Sequence, residues 1–156
     1  MRVTTRTRYA IRALYDLAFH RRGQTALAKE IAARQQIPLR FLEQILQDLR
    51  RAGLVEARRG PRGGYALARP PGEVSLADVL RAARGPLEEV LGLEGRAPAT
   101  AAATPAPVDD IPALVWAEVG ARLIDVLEQT TLADFVARAE AAGVRRAVLP
   151  ATMYFI

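Results

Sequence analysis

The 156-residue chain is 51% apolar and contains no cysteine. It has enough apolar material for a real core, while disulfides, thiolate nucleophiles and thiolate-held metals are excluded outright. Its formal charge of +5 is unevenly placed: residues 1–70 hold 15 Lys/Arg against 5 Asp/Glu, a net +10, and residues 71–156 hold 7 against 12, a net −5.

A concentrated positive half suits a polyanion, because each neutralised phosphate releases condensed counterions, and an acidic remainder does not share that surface. No apolar run approaches the ~20 residues of a bilayer-spanning helix, and "MRVTTRTRYAIRAL" lacks the apolar core of a secretion signal; a cytoplasmic protein is expected.

In chain order, "TRYAIRALYDLAF" sets Tyr9, Ala10, Ala13, Leu14, Leu17 and Ala18 on one stripe of a first helix, with Thr4 or Thr5 as its cap. Thr25 is expected to cap a short second helix, "ALAKEIAARQQ", whose Leu27, Ile31 and Ala32 face inward. The residue before Pro38 avoids helical dihedrals and Pro38 suits a first turn, so a third helix, "PLRFLEQILQDLRRAG", begins there. It buries Leu42, Ile45, Leu46 and Leu49, stops at Gly53, and turns Arg40, Glu43, Gln44, Gln47, Arg50 and Arg51 outward. Two short helices joined by about four residues have helix-turn-helix spacing.

"GLVEARRGPRGGYALARPP" then reads as two strands, at 54–58 and 64–68, around a Gly/Pro turn. Val55, Ala57, Ala66 and Leu67 give the ribbon a partly buried side, and Arg58, Arg59 and Arg62 load its tip. A hairpin directly after a candidate recognition helix is the wing of a winged helix. Glycine there lets backbone amides approach phosphates, and arginine binds phosphate or enters a narrow minor groove.

Ser75 and Asp78 form a capping pair for a helix, "SLADVLRAARG", that packs back on this unit. After "PLEEVLGLEG", the proline- and alanine-rich stretch 96–108 reads as an exposed loop. Asp109 or Asp110 is placed to cap the longest helix, "IPALVWAEVGARLIDVLEQT", whose stripe of Leu114, Val115, Val119, Leu123, Val126 and Leu127 reads as a dimerisation face. Thr131 and Asp134 cap "LADFVARAEAAG", and "VRRAVLPATMYFI" is an apolar tail that docks on the body or on a partner. The expected class is mainly α: a winged helix-turn-helix domain over 1–85 with a two-stranded wing, a connecting segment and flexible loop over 86–110, and a long dimerisation helix with its tail over 111–156.

Enzyme chemistry finds no footing. Ser75 is the only serine and is a helix cap; His20 is the only histidine and is expected as a capping or surface residue. Glu88 with Glu89, and Asp109 with Asp110, read as solvated or capping charges. "RRGPRGGYAL" lacks the Gly-Lys-Ser/Thr end of a phosphate loop, and it links strand to strand rather than opening a helix.

The motifs "RYAIRALYDLA", "LAKEIAARQQIPLRFLEQILQDLRRAGLV", "RRGPRGGYALARPPGEVSLADVL", "TTLADF" and the final "MYFI" together resemble the Rrf-two family of winged helix-turn-helix regulators, over nearly the whole chain. That family includes an iron-sulfur assembly regulator, nitric-oxide sensors and a regulator of cysteine metabolism. The resemblance implies that Arg40, Phe41, Glu43 and Gln44 open a recognition helix in the major groove, where Glu43 accepts from cytosine N4, Gln44 pairs with adenine and Arg40 serves guanine or phosphate. It implies further that Arg59, Pro61, Arg62, Gly63 and Gly64 lie at the wing tip over the minor groove, and that Thr5 and Tyr9 hold the phosphate backbone. Arg51 and Arg58 flank these positions as further DNA contacts, and Phe41 and Tyr65 have an alternative role in packing.

Sensor relatives ligate a 2Fe-2S cluster through three cysteines in the loop before the long helix. Here that loop reads "EGRAPATAAATPAPVDD", so no conventional cluster or metal site is expected. The resemblance implies a homodimeric regulator, a repressor at a pseudo-palindromic operator, answering to a small-molecule effector or a protein partner. The alternatives left open are a cluster sensor with its ligands substituted and a non-specific architectural DNA binder.

Overall fold

The computed structural model describes residues 4–21, 24–61, 63–91 and 111–147. Thr4 is extended and its hydroxyl accepts the Thr7 amide at 3.3 Å, which opens helix α1, Thr5–Asp16. Ala10, Ala13 and Leu14 are buried as the spacing requires. The axis then continues as a π-helical turn, Leu17–Arg21, which brings Leu17, Ala18, Phe19 and Arg21 all inside.

Helix α2, Ala28–Gln35, begins later than expected. Ala26 exchanges two backbone hydrogen bonds of 2.8 Å with Tyr65, so the chain is extended there and Thr25 cannot be the cap. Leu27 takes the cap position with an exposed side chain rather than an inward one, and the Glu30 carboxylate reaches back to accept the Leu27 amide at 3.0 Å. Gln36, in the left-handed region at φ 51°, ends the helix.

Helix α3, Leu39–Arg51, opens after Pro38, which sits at the cap rather than within the first turn. Leu42, Ile45, Leu46 and Leu49 are buried, and Gly53 at φ 70° turns the chain away. Strands β1, Val55–Arg58, and β2, Gly64–Leu67, pair antiparallel in the register Val55↔Leu67 to Arg58↔Gly64. Val55 and Ala66 are buried, but Ala57 is exposed, because the ribbon has left the core two residues past Val55.

A 3₁₀ turn, Pro71–Glu73, leads to α4, Leu76–Arg84. The expected reciprocal cap is present: Asp78 N–H donates to Ser75 Oγ at 3.1 Å and Ser75 N–H to Asp78 Oδ2 at 3.3 Å. Helices α5, Leu87–Leu91, and α6, Ile111–Gln129, follow, and then α7, Leu132–Ala141. Asp134 Oδ2 accepts the Thr131 amide at 2.7 Å and its hydroxyl at 2.9 Å, and these two bonds hold the Asp134 carboxyl below its usual pKa. The expected caps Asp109 and Asp110, the loop around them and the end of the tail lie outside the described residues.

Leu132 of α7 joins the main core of α1, α2, α3 and the wing base, while Leu127 of α6 joins a second cluster with Ala77, Leu80 and Leu87. The two meet where Leu76 N–H donates to Thr130 O at 2.7 Å and Leu132 N–H to Val74 O at 3.0 Å.

Residues 144–147 close the far end of α1. Arg146 lies over the Phe19 ring, 4.6 Å from its centroid, and donates to the Phe19 carbonyl. Ala147 N–H donates to His20 Nδ1 at 2.8 Å. His20 is therefore a half-buried acceptor rather than a cap or a surface residue. Burial, with help from Arg34, Arg146 and Arg21 and against Asp16, pushes its pKa down and favours the neutral ring that this contact needs.

The Asp16 side chain is fully buried. It accepts Arg34 Nε at 3.0 Å and Nη2 at 2.7 Å, and Gln35 Nε2 at 3.0 Å, joining α1 to the last turn of α2. Replacing Asp16 by Ala leaves a guanidinium and an amide without their acceptor, so urea denaturation is expected to show a loss of about 3 kcal/mol. Asp48→Ala, whose ion pairs are solvent-accessible, is expected to cost no more than about 1 kcal/mol.

Candidate nucleic-acid interface

The polar face of α3 is set by what the opposite face must bury. With Leu42, Ile45, Leu46 and Leu49 inside, helical periodicity leaves Arg40, Glu43, Gln44, Gln47, Arg50 and Arg51 outside, and all six are exposed. Gln47 and Arg50, which the sequence spacing also turns outward, share this surface with Arg40, Glu43, Gln44 and Arg51.

The helix is fixed on three sides. Between α2 and α3, buried Ile37 donates its amide to Ala32 O at 3.0 Å, which fixes the turn. Asp48 pairs with Arg6 of α1 and with Arg51 at 3.4 Å, yet the Arg51 side chain stays 78% exposed and its guanidinium remains reachable. Tyr9 and Phe41 meet edge to face, with ring centroids 5.8 Å apart. Both rings are half-buried, and their contact joins α1 to α3 while part of each stays accessible. Thr5 is exposed in the first turn of α1.

On the wing, Arg58, Arg59 and Pro61 are exposed, and Arg58 Nε donates to Glu56 on its own strand at 2.7 Å. Arg62 lies outside the described residues. The glycines meet a requirement inside the protein. A Cβ on Gly63 would sit 2.7 Å from Arg58 O, and one on Gly64 would sit 2.5 Å from Ala26 O, with Gly64 also at φ 141°. Tyr65, half-buried against the core, is the residue that pairs with Ala26. The Ala26 bridge carried no signal in the sequence, because a single extended alanine in a loop has no pattern.

The surface therefore brings together a polar helix face and an arginine-bearing ribbon held on one core, the arrangement of a winged helix-turn-helix. The Rrf2 family, described as iron-dependent transcriptional regulators, matches the chain over residues 3–138. The chain belongs to the Rrf2 family.

Among relatives of this Rrf2 protein, a candidate HTH-type transcriptional regulator of Mycobacterium tuberculosis (strain CDC 1551) is 44% identical over 136 residues, covering 86% of this chain and 80% of its own. The HTH-type transcriptional regulator IscR of Cereibacter sphaeroides is 36% identical, covering 87% of each chain. The solved structure of CymR, the global cysteine regulator of B. subtilis, superposes with a TM-score of 0.69 at 27% identity, over 88% of this chain and 98% of the other.

Thiolate-held iron does not fit this Rrf2 chain, which has no cysteine to supply a ligand. Among the described residues, no group of three His, Cys, Asp or Glu is placed to hold a metal.

Gly64→Ala tests how far the wing depends on its contact with Ala26. A Cβ 2.5 Å from a backbone oxygen forces β2 off that loop. Amide exchange of Tyr65 and Ala26 is expected to accelerate together, with stability reduced by about 1–3 kcal/mol.

Proposed function

We propose that this Rrf2 protein is a homodimeric, sequence-specific DNA-binding regulator, a repressor at a pseudo-palindromic operator, working without a thiolate-ligated cluster. The observation that carries the reading is the composition of the exposed α3 face. A surface meant only to neutralise phosphate would be uniformly basic. Here Glu43, Gln44 and Gln47 stand among Arg40, Arg50 and Arg51. A carboxylate turned toward a polyanion is unfavourable unless a donor such as cytosine N4 meets it, so Glu43 points to base readout. Gln44 suits adenine, and the Arg40 fork suits guanine or phosphate.

In this reading Thr5 and Tyr9 position α1 on the sugar-phosphate backbone, and Arg51 assists at the far end of α3. Arg58, Arg59, Pro61, Arg62, Gly63 and Gly64 form the part of the wing that lies over the minor groove. Residues 1–85 read DNA, 86–110 connect, and 111–156 join two copies.

The dimer is supported by α6. Its Leu127 packs inward, whereas Ile111, Leu114, Val115, Trp116, Val119, Leu123 and Val126 are exposed, Trp116 by 58%. An apolar face of this extent marks an interaction surface. A second copy covers it in a two-fold arrangement, which sets twin recognition helices about 34 Å apart.

Binding to DNA upstream of its own gene is expected to exceed binding to scrambled DNA by ~10³-fold at matched salt. Glu43→Ala should change which base is tolerated at one operator position by about 1–3 kcal/mol. The Arg59→Ala/Arg62→Ala pair should weaken all sequences alike and flatten the salt dependence by about two contacts. Equal affinity for scrambled DNA would leave an architectural binder, and an even loss from Glu43→Ala would place base readout elsewhere.

Val119→Glu places a charge in the centre of the α6 face. Sedimentation is expected to show monomers, with operator affinity lost while the fold, followed by circular dichroism, persists.

A further inference from the structure

Between the wing base and α7 lies a cavity of about 670 Å³, within the range of roughly 300–1,000 Å³ typical of small-molecule sites. Its apolar wall comes from Ala18 of the π-helical turn, Leu67 of β2, and Val136 and Ala137 of α7, and Pro70 and Pro71 stiffen one edge. Its charges come from three separate places: Arg58 of β1, Arg69 beyond β2, and Arg146 of the C-terminal segment, against one carboxylate, Glu140.

Each guanidinium already has an anchor. Arg58 pairs with Glu56 at 2.6 Å, Arg69 with Asp78 at 3.0 Å, and Arg146 with Glu140 and the Phe19 carbonyl. A guanidinium carries five N–H donors, so one anchor orients it and leaves donors to share. Three anchored arginines that line the cavity, each with N–H donors beyond its ion pair, beside an apolar wall match a ligand with an anionic head and an apolar body.

We propose that this cavity is an effector site for a small amphipathic anion, its carboxylate, sulfonate or phosphate head held among Arg58, Arg69 and Arg146 and its apolar body against Leu67 and Val136. The occupied site links the wing, through Arg58 and Leu67, to α7 and to the end of α1. Ligand binding therefore fixes where the wing stands relative to the rest of the reading domain and changes DNA affinity. This step rests on the regulator reading above.

The test uses the full chain and two fluorescent probes with the same aromatic body, 8-anilinonaphthalene-1-sulfonate and the uncharged N-phenyl-1-naphthylamine. The sulfonate is expected to saturate one site per chain and to bind at least about tenfold tighter than the uncharged probe. Ala137→Trp, on an exposed position of α7, should fill the cavity and abolish the saturable site, and Arg69→Gln should remove most of the preference for charge. Saturating sulfonate should shift operator affinity by about fivefold or more in the native chain and leave Ala137→Trp unchanged.

Equal binding of both probes overturns the proposal, as does a sulfonate site that survives Ala137→Trp. Binding only to a chain ended before Val148 would make the chain's own end the occupant and overturn it as well. Operator preference is measured first without probe: if it is missing, the regulator reading fails while the titration stays interpretable, and if it is present without probe binding, only the effector site fails.

Discussion

The Asp16 carboxylate is the contact on which the arrangement of α1, α2 and α3 depends. A fully buried anion is unfavourable unless donors surround it, and here Arg34 and Gln35 supply three donor nitrogens from the last turn of α2. Because the donors sit at the end of α2 where the turn to α3 begins, the same contact sets the position of both helices. Arg12 extends it by donating to Gln35 Oε1 at 3.4 Å. Apolar packing alone would tolerate small slides of α2 along α1; a bidentate guanidinium on a buried carboxylate permits one placement.

From that placement the rest of the surface follows. Arg6–Asp48 and the Tyr9–Phe41 ring pair hold the two ends of α3 to α1. The wing, in turn, is no isolated ribbon: a two-stranded hairpin alone is marginal in water, and this one gains a third extended partner at Ala26, in the connection between α1 and α2. Helix α3 and the wing are thus both referred to α1, one through its polar and aromatic contacts and the other through the loop that leaves it. Glycine at position 64 is the condition for that second reference, since any side chain would push β2 off Ala26.

What the sequence made legible was what repeats at a fixed period or pairs at a fixed offset. The four buried residues of α3, the Ser75–Asp78 and Thr131–Asp134 caps and the exposed polar face of α3 all follow from spacing within one element. What it did not show was set between elements. Thr25 has the look of a cap because it precedes an alanine-rich helix, but pairing of Ala26 with Tyr65 delays that helix by two residues. Ala57 alternated correctly and still lies outside, because alternation cannot tell where a ribbon leaves its core. His20 had no pattern at all; its partner is 127 positions away. The cavity was illegible for the same reason, being assembled from position 18, the stretch 58–72 and positions 133–146.

The C-terminal segment gives these separate parts a common point. The last carbonyls of a helix lack partners within it, and in the π-helical turn that continues α1 Phe19 O is met by Arg146, while His20 receives the amide of Ala147. Arg146 also faces the cavity, and Glu140, its ion-pair partner, lies on α7. α7 follows α6 directly through Thr130 and Thr131; Thr130 O accepts the Leu76 amide of α4, and Leu132 N–H donates to Val74 O just before that helix. Arg146 is thus joined by packed or hydrogen-bonded contacts to the π-helical turn after α1, to the lining of the cavity beside the wing and, through Glu140, to α7. The cavity proposed as an effector site therefore lies where the end of the π-helical turn, the wing and α7 meet.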